Sequence, residues 1–375
     1  MSVDPFDRHL NELDQKRQFG KYVLKDAKKL ADAIVRTTKI YRPSVHNLLG
    51  DNSEPSERRN DLRIGLFSRH ISIQSEKPDE EGVTAVKDPE LVQLCDTRLN
   101  NHYKLCVPFS VEKISRVQAG ILEKVSALCD SSVDIICLGE LGYPSFTFPV
   151  ELSEHQNRAD NNGMRPLPRF TSDELKQLAD NERDFREQLQ NLADRSNTII
   201  LAGTHHNCLN FHNEAIIFFP LIDDSPRIHQ KLTAAKSINV GEVIRTPGSN
   251  QFPIYTTPLG KIAVLICIDV YDLNMFCRQL HAAKIENNEY HLDIILVPSL
   301  TDKSLAKACK DLSYVANCVV IYVNSSSAAE PHANVYVSGR YIDPAEKLED
   351  TTTRVTIDKS TRRNLFDKVN THLKQ

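Results

Sequence analysis

The sequence predicts an α/β fold, because short and almost continuous apolar runs alternate with amphipathic helical segments after residue 61. Runs of this kind are typical of strands that are buried on both faces and covered by helices. The chain has 375 residues, of which 40% are hydrophobic and 26% are charged, an ordinary composition for a globular protein. It is long enough for one large domain or two.

Each predicted strand is a short run rich in Ile, Val, Leu and Ala, with little charge inside it. The candidates are Arg63–Phe67, Val133–Leu138, Thr198–Ala202, Ala215–Phe219, Ile262–Ile268, Asp293–Val297 and Val319–Val323.

Two helices are predicted between these strands, at residues 114–128 and 175–192, where apolar residues recur at helical spacing. Thr171 and Glu174 precede the second helix with the spacing of a capping box, and Glu182 interrupts its apolar stripe. Further helices are predicted after two acids that are placed to cap a first turn, Asp272 and Asp302.

Residues 1–60 are predicted to form an N-terminal helical extension to a domain at residues 61–375. Between Lys16 and Arg42 nine basic residues outnumber two acidic ones, and apolar residues fall at helical spacing. This pattern predicts a basic amphipathic helix, followed by a polar linker at Asp51–Asn60. The simpler interpretation is a helix docked on the domain with its bases in solvent; the alternative is a membrane-surface or partner-binding role.

Charge and hydropathy exclude several classes of partner. The 46 Lys and Arg against 50 Asp and Glu give a net charge of −4, so no general positive field favours nucleic acid. The longest apolar runs are far shorter than the roughly 18 residues of a membrane span, so we expect no integral membrane contact. The first residues lack the pattern of a secretory signal, and nine scattered cysteines favour free thiols. We therefore expect a reduced, cytoplasmic protein.

Reactive residues follow three of the apolar runs, namely Glu140, Lys231 and Cys267. Ligands of sheets that are covered by helices bind at the carboxyl ends of strands. A thiol attacks as the thiolate, so Cys267 would need a base such as Glu140 and a cation such as Lys231 to stabilise the oxyanion. Each residue alone also has an ordinary structural explanation, as a packed thiol, a solvated acid or a surface lysine.

The order and spacing of these three residues resemble the nitrilase superfamily of carbon–nitrogen hydrolases, in which Glu, Lys and Cys follow one another at strand ends. Residues 260–269, a glycine-led strand ending in Cys-x-Asp, are similar to the nucleophile segment of that family. Lys231 lies 36 positions before Cys267, where the family lysine would be. Glu242, eleven residues after Lys231, is similar to the second glutamate of the family.

Further similarities extend the resemblance to about residues 61–362. Asn213-Glu214-Ala215 is similar to a turn of the family that precedes a strand, and residues 293–299 are similar to the strand after the nucleophile. Residues 316–324 resemble the next helix and strand. Ser338–Pro344 followed by Thr356–Asp358 resembles the closing hairpin.

The chain departs from the family at two places. The family usually has Pro before the base glutamate, where this chain has Gly139. It often has Arg and an aromatic residue before the lysine, where this chain has His229-Gln230. Lys236 is therefore a second candidate for the catalytic lysine.

The resemblance implies a four-layer α-β-β-α sandwich, homo-oligomers, and hydrolysis of a non-peptide carbon–nitrogen bond in a small amide or nitrile. Glu140 would deprotonate Cys267, and Lys231 with the backbone N–H of Ile268 would stabilise the charge that develops when the thiolate attacks. Glu242 would orient the substrate or the lysine. Water would then release the acid from a thioester, with no metal or organic cofactor.

Other functions stay open at this stage. Acyl transfer to an amine is the alternative within the same fold, and a catalytically silent binding or effector protein that acts through its N-terminal helix is the alternative of another class. A zinc site is disfavoured, because the spacing of the only metal-like cluster fits no standard pattern: His205, His206, Cys208 and His212. The long excursion at residues 142–170 is expected to line the pocket, but it carries no recognisable substrate signature.

Overall fold

The computed structural model describes residues 42–48, 61–71, 73–75, 84–86, 91–96, 103–108, 111–144, 171–207, 212–220, 226–230, 251–271, 292–301, 305–326, 331–344, 346–347, 351–358 and 360–361. The α-helices within these residues are α1 (Val111–Asp130), α2 (Ser172–Ser196) and α3 (Ala306–Val315). The strands in chain order are β1 (Arg42–Asn47), β2 (Leu62–Phe67), β3 (Ile73–Ser75), β4 (Thr84–Val86), β5 (Leu91–Asp96), β6 (Tyr103–Pro108), β7 (Ile135–Leu138), β8 (Ile199–Asn207), β9 (His212–Phe218), β10 (Arg227–Gln230), β11 (Gln251–Thr257), β12 (Gly260–Val264), β13 (Ile294–Ser299), β14 (Val319–Asn324), β15 (Ala333–Val337), β16 (Arg340–Ile342), β17 (Glu346–Lys347) and β18 (Thr352–Ile357).

Two large sheets of seven strands each dominate the fold. Sheet I has the order β10-β9-β8-β7-β2-β18-β17, and sheet II has the order β1-β11-β12-β13-β14-β15-β16. The strands β2, β7 and β8 run parallel in sheet I, as do β12, β13 and β14 in sheet II. In each sheet the carboxyl ends of three parallel strands therefore lie side by side at the same end of the sheet. Glu140 and Cys267 follow strands at these ends.

The two sheets pack face to face over a shared apolar core. Ile64, Ile135 and Ile217 of sheet I belong to the same buried cluster as Ile262 and Leu296 of sheet II. Successive side chains of a strand point to opposite faces, so the intervening residues of sheet I pack on the other side. That second cluster joins sheet I to α1 and α2, and includes Ile136, Ile200, Phe218, Ile121, Val125 and Leu189.

The third helix covers sheet II. Leu305, Ala308 and Leu312 are buried in the core cluster, and α3 contacts β14 and β15. Helices thus lie outside both sheets, with the apolar interface between the sheets at the centre. The described residues confirm the predicted four-layer α-β-β-α sandwich.

The predicted helices at residues 114–128 and 175–192 are present as α1 and α2. Both hydrogen bonds of the capping box form: the Glu174 N–H donates to Thr171 Oγ1 at 3.2 Å, and the Thr171 N–H donates to Glu174 Oε2 at 2.7 Å. The cap at Asp302 was a wrong prediction, because α3 begins at Ala306 with Leu305 at its N-cap and no side-chain hydrogen bond there. The helix predicted after Asp272 lies outside the described residues.

Every predicted strand is present, with ends that differ by a few residues. The largest functional difference is at the predicted strand Ile262–Ile268, which ends at Val264 and is followed by a 3₁₀ turn at Cys267–Tyr271. The carboxylate of Asp269 accepts the N–H of Ile266 at 3.1 Å, which directs the chain out of the sheet and into the turn.

The predicted closing hairpin is also different. Arg340–Ile342 pairs with β15 in sheet II, whereas Thr352–Ile357 pairs with β2 and β17 in sheet I. The chain therefore forms a hairpin in each sheet, β15–β16 across Ser338-Gly339 and β17–β18, and crosses from sheet II to sheet I between them. Apolar patterning alone could not distinguish this arrangement from a single hairpin.

One strand comes from the segment that was assigned to the N-terminal extension. β1 pairs in parallel with β11 and adds an edge strand to sheet II. The boundary at residue 60 thus leaves a strand of the sheet in the extension. The predicted basic helix that precedes β1 lies outside the described residues.

Within the part of the chain that the structure describes, none of the helices is both long and apolar enough to cross a membrane.

Candidate active site

Glu140 lies at the carboxyl end of β7, two residues beyond the strand. Its side chain is only 2% exposed. Oε1 accepts a hydrogen bond of 2.6 Å from Asn213 Nδ2, and Oε2 accepts one of 2.7 Å from the backbone N–H of Leu300. The carboxylate is thus held between β9 of sheet I and the residue that follows β13 of sheet II.

Gly139 allows the end of β7 to approach sheet II closely. A Cβ atom at this position would lie 2.9 Å from the backbone nitrogen of Ser325, and closer still to the Ser325 hydroxyl oxygen. Any residue with a side chain, including the proline expected here from the sequence resemblance, would come too close to Ser325. The glycine at this position therefore has a steric reason in this chain.

The loop after Glu140 is anchored on sheet I and on α2. The N–H of Leu141 donates to Thr204 Oγ1 at 3.1 Å, and the N–H of Tyr143 donates to the Thr204 carbonyl at 3.2 Å. The Tyr143 hydroxyl donates to Glu182 Oε1 at 2.8 Å. This bond accounts for the acid that interrupts the apolar stripe of α2, since Glu182 receives a buried hydroxyl there.

Cys267 is the first residue of the 3₁₀ turn that follows β12, and its side chain is 4% exposed. Its φ of +49° is in the left-handed region, which costs a residue with a side chain about 1–3 kcal/mol. Asp269 stabilises the turn by accepting the N–H of Ile266, and its own N–H donates to the Ile266 carbonyl at 3.1 Å. Strain of this kind clusters at functional sites, where the surrounding structure maintains it.

Ser299 connects Glu140 and Cys267. The Ser299 hydroxyl donates to Cys267 Sγ at 3.4 Å, and the Ser299 carbonyl accepts the N–H of Glu140 at 3.2 Å. The next N–H along the chain, that of Leu300, holds the Glu140 carboxylate. The carboxylate and the thiol, which are far apart in sequence, are therefore brought together on either side of one buried residue at the end of β13.

Asn324 fixes the chain just beyond Ser299. Its Oδ1 accepts the N–H of Thr301 at 3.1 Å, and its Nδ2 donates to the Thr301 carbonyl at 3.1 Å. Asn324 is the β14 partner of Ser299 in sheet II and is itself fully buried. The residues on both sides of Leu300 are thus fixed: Ser299 by its pairing with Asn324 in the sheet, and Thr301 by the Asn324 side chain.

The remaining sequence-predicted site residues are placed as follows. The backbone of Ile268 lies in the 3₁₀ turn directly after Cys267. Lys231 and its alternative Lys236 lie outside the described residues, as do Glu242 and the pocket segment beyond residue 144. The roles of all these residues stay predictions.

The His205 and His212 side chains lie near a buried glutamate rather than around an open centre. Glu214 Oε2 is 3.3 Å from His205 Nε2 and accepts a hydrogen bond of 3.0 Å from Asn207 Nδ2. Glu214 Oε1 is 3.8 Å from His212 Nδ1. Among the described residues, no three His, Cys, Asp or Glu side chains group as metal ligands; Cys208 is not among those residues.

Three residues that contact Glu140 or Cys267 were not predicted as site residues, namely Asn213, Ser299 and Leu300. Asn213 belongs to the Asn-Glu-Ala segment that supported the family resemblance, so a sequence signal for it existed. Ser299 and Leu300 lie where an apolar run ends in Pro298-Ser299, at the carboxyl end of a parallel strand. Treating the end of this run as a candidate site, as was done for the runs before Glu140 and Cys267, would have identified Ser299 as a candidate.

No family model and no curated protein matches this sequence. Several solved structures are similar to it. Nit3 of Saccharomyces cerevisiae, a member of the nitrilase superfamily, is 12% identical with a TM-score of 0.46, and the match covers 84% of this chain and 96% of that chain. An amidase from Nesterenkonia sp. is 11% identical with a TM-score of 0.47, covering 84% and 97%. XC1258 from Xanthomonas campestris, a CN-hydrolase superfamily protein, is 14% identical with a TM-score of 0.48, covering 84% and 97%.

Proposed function

We propose that this protein is a hydrolase of the nitrilase type, which cleaves a non-peptide carbon–nitrogen bond of a small molecule, most simply an amide, through a thioester on Cys267. The observation that carries the proposal is the arrangement of Glu140 and Cys267 around Ser299 at the joined carboxyl ends of β7 and β13. Together with the sequence order Glu, Lys, Cys, this arrangement supports acyl transfer to a thiol.

In the proposed reaction, Glu140 takes the proton of Cys267 and the sulfur attacks the carbonyl carbon of the amide. Lys231, or Lys236 in its place, and the backbone N–H of Ile268 stabilise the oxyanion, and Glu242 orients the substrate or the lysine. Glu140 then gives its proton to the departing amine, which leaves a thioester. Water, deprotonated by Glu140, attacks the thioester and releases the acid and the thiol.

Two structural features support this assignment of roles. Both oxygens of Glu140 accept N–H donors, so the carboxylate has a fixed position from which to receive a proton. The positive φ of Cys267 places the thiol at a sharp turn just past the end of β12 rather than within the sheet, as a nucleophile that must meet a substrate requires.

The proposal is tested with a panel of small amides and nitriles, in which release of ammonia or amine is measured. Cys267→Ala should abolish turnover. Cys318→Ala is the matched control, because Cys318 is an equally buried thiol that lies before β14, at the opposite end of the parallel strands of sheet II. Turnover that survives in Cys267→Ala would refute the thioester route. The absence of turnover on the whole panel, with a Cys267 that does not react with a mild alkylating agent, would favour a silent binding protein.

The acceptor separates hydrolysis from acyl transfer. If amine is released from the substrate with water as the sole acceptor, the protein is a hydrolase; if release requires an added primary amine and the new amide is the product, it is a transferase. The cytoplasmic location and the homo-oligomeric state expected from the sequence stay predictions, as does the absence of a cofactor.

A further inference from the structure

We propose that Ser299 is a further residue of the catalytic centre, whose hydroxyl stabilises the thiolate of Cys267 while its backbone and that of Leu300 fix the base Glu140 beside it. The inference rests on the proposed function in that Cys267 is taken as the nucleophile. It deepens that function by naming a donor to the sulfur that the sequence did not indicate.

Among the described residues, the Ser299 hydroxyl has one hydrogen-bond partner, the sulfur of Cys267. Ser299 has no exposed surface, so water does not reach the hydroxyl from bulk solvent. Its Oγ lies 3.4 Å from Cys267 Sγ, within the range of hydrogen bonds to sulfur. A buried hydroxyl without a partner is costly, so the bond to the sulfur also satisfies Ser299 itself.

The direction of this bond favours the charged form of the sulfur. A thiolate can only accept a hydrogen bond, whereas a serine hydroxyl can donate one. Bonds to an ionised partner are roughly twice as strong as bonds between neutral groups. The Ser299 hydroxyl therefore stabilises the thiolate more than the thiol, and this difference promotes proton transfer from Cys267 to Glu140.

The same residue holds Glu140 in position beside the donor to Cys267. The Ser299 carbonyl accepts the N–H of Glu140 at 3.2 Å and that of Ser325 at 2.8 Å. The Leu300 N–H donates to the Glu140 carboxylate at 2.7 Å. The hydrogen bonds of Asn324 to Thr301 hold the following residue on the end of sheet II. Movement of this peptide would displace Glu140 and the donor to Cys267 together.

Ser325 offers a matched control. It is also a fully buried serine at the carboxyl end of sheet II, and it is hydrogen-bonded to the same Ser299 carbonyl through its backbone. Its own hydroxyl has no hydrogen-bond partner among the described residues. Ser325→Ala therefore removes the same atom from the same neighbourhood without touching the sulfur.

The test measures the rate of Cys267 alkylation by iodoacetamide between pH 5 and pH 10, with peptide-resolved mass spectrometry because the chain has nine cysteines. The readout reports the thiolate fraction and needs no substrate. Ser299→Ala should move the midpoint of the Cys267 profile to higher pH by about one unit, the size expected for loss of a hydrogen bond to a charged group. Ser325→Ala should leave the midpoint unchanged.

Ser299→Cys has a side chain of the same shape but somewhat larger, and it replaces the hydroxyl by a weaker donor, so under reducing conditions that prevent a disulfide with Cys267 it should give an upward shift smaller than that of Ser299→Ala. It also provides the measurement if Ser299→Ala does not fold. An unchanged midpoint in the folded Ser299 variants, or an equal shift in Ser325→Ala, would overturn the inference.

The outcomes for the two proposals are distinguishable. A shifted midpoint in a protein that hydrolyses nothing on the amide and nitrile panel would support the role of Ser299 and refute the hydrolase. Turnover with an unshifted midpoint would support the hydrolase and refute the role of Ser299.

Discussion

The side-chain amide of Asn213 donates a hydrogen bond of 2.6 Å to the carboxylate of Glu140 across 73 positions of the sequence. Asn213 belongs to β9 and Glu140 follows β7, with β8 between these two strands. The Glu140 carboxylate therefore depends for its orientation on a strand that is not adjacent to β7.

Replacing Asn213 should impair amide turnover. Asn213→Ala removes an N–H donor that fixes Glu140, and loss of a hydrogen bond to a charged group should lower kcat by about 10- to 100-fold. Asn213→Asp should be worse, because it places a second carboxylate against Glu140. Asn207→Ala is the control, since Asn207 is an amide of the adjacent strand that binds Glu214 instead. Equal losses in the Asn207 and Asn213 variants would mean that Asn213 acts only on folding.

Gly139→Ala should destabilise the protein by about 1–3 kcal/mol, because the new Cβ would overlap the Ser325 hydroxyl and lie 2.9 Å from its backbone nitrogen. The free energy of unfolding in urea measures this change. Adding Ser325→Ala should recover part of the loss, since it removes the hydroxyl but leaves the backbone in place. Gly120→Ala on α1 is the control: nothing lies within 4 Å of its Cβ, so a change of about 0.5–1 kcal/mol in the stabilising direction is expected.

The other buried thiols should be much less reactive than Cys267. Burial raises the pKa of Cys137, and burial with the nearby Cys267 raises the pKa of Cys309 well above its ordinary value. A raised pKa lowers the thiolate fraction at pH 8, so both residues should stay unlabelled while Cys267 is alkylated. Site-resolved mass spectrometry after a short pulse of iodoacetamide checks this. Labelling of Cys309 at the rate of Cys267 would show that alkylation reports local opening rather than a poised nucleophile.

The capping box of α2 should give a measurable pH dependence at low pH. The hydrogen bonds from the Thr171 backbone and side chain lower the pKa of Glu174 in the folded protein below its ordinary value of 4.5. A lowered pKa means that the contribution to stability is fully present above the unfolded pKa and is lost as the pH falls through the folded pKa. Thr171→Ala should therefore lower Tm at pH 6 and flatten its decrease towards pH 3 only in part, because the Thr171 backbone N–H still donates to Glu174; Glu174→Gln should remove this contribution to the slope altogether. Thr171→Ser keeps the hydroxyl and should retain the slope of the unaltered protein.

The features that could be predicted from the sequence are those whose pattern lies within one short stretch of the chain. Glu140 and Cys267 each end an apolar run, and the periodicity of α2 with its capping box lies within one stretch of sequence. The edge strand β1 could not be predicted, because Arg42–Asn47 contains Pro43 and only one apolar Val, and its pairing with β11 connects distant segments. The contact of Ser299 with Cys267 could likewise not be predicted from local sequence, because it depends on the pairing of β12 with β13. The glycine at position 139 is explained only by the position of Ser325, which directly follows β14 of the other sheet.

The insertion of β18 between β2 and β17 has a consequence for biosynthesis. Residues 62–67 emerge from the ribosome long before their antiparallel partner at residues 352–357. One side of β2 thus exposes unpaired N–H and C=O groups while the intervening chain is made, and this edge is open to mispairing with another nascent chain. If translation stops before residue 352, β18 is missing and sheet I stays incomplete.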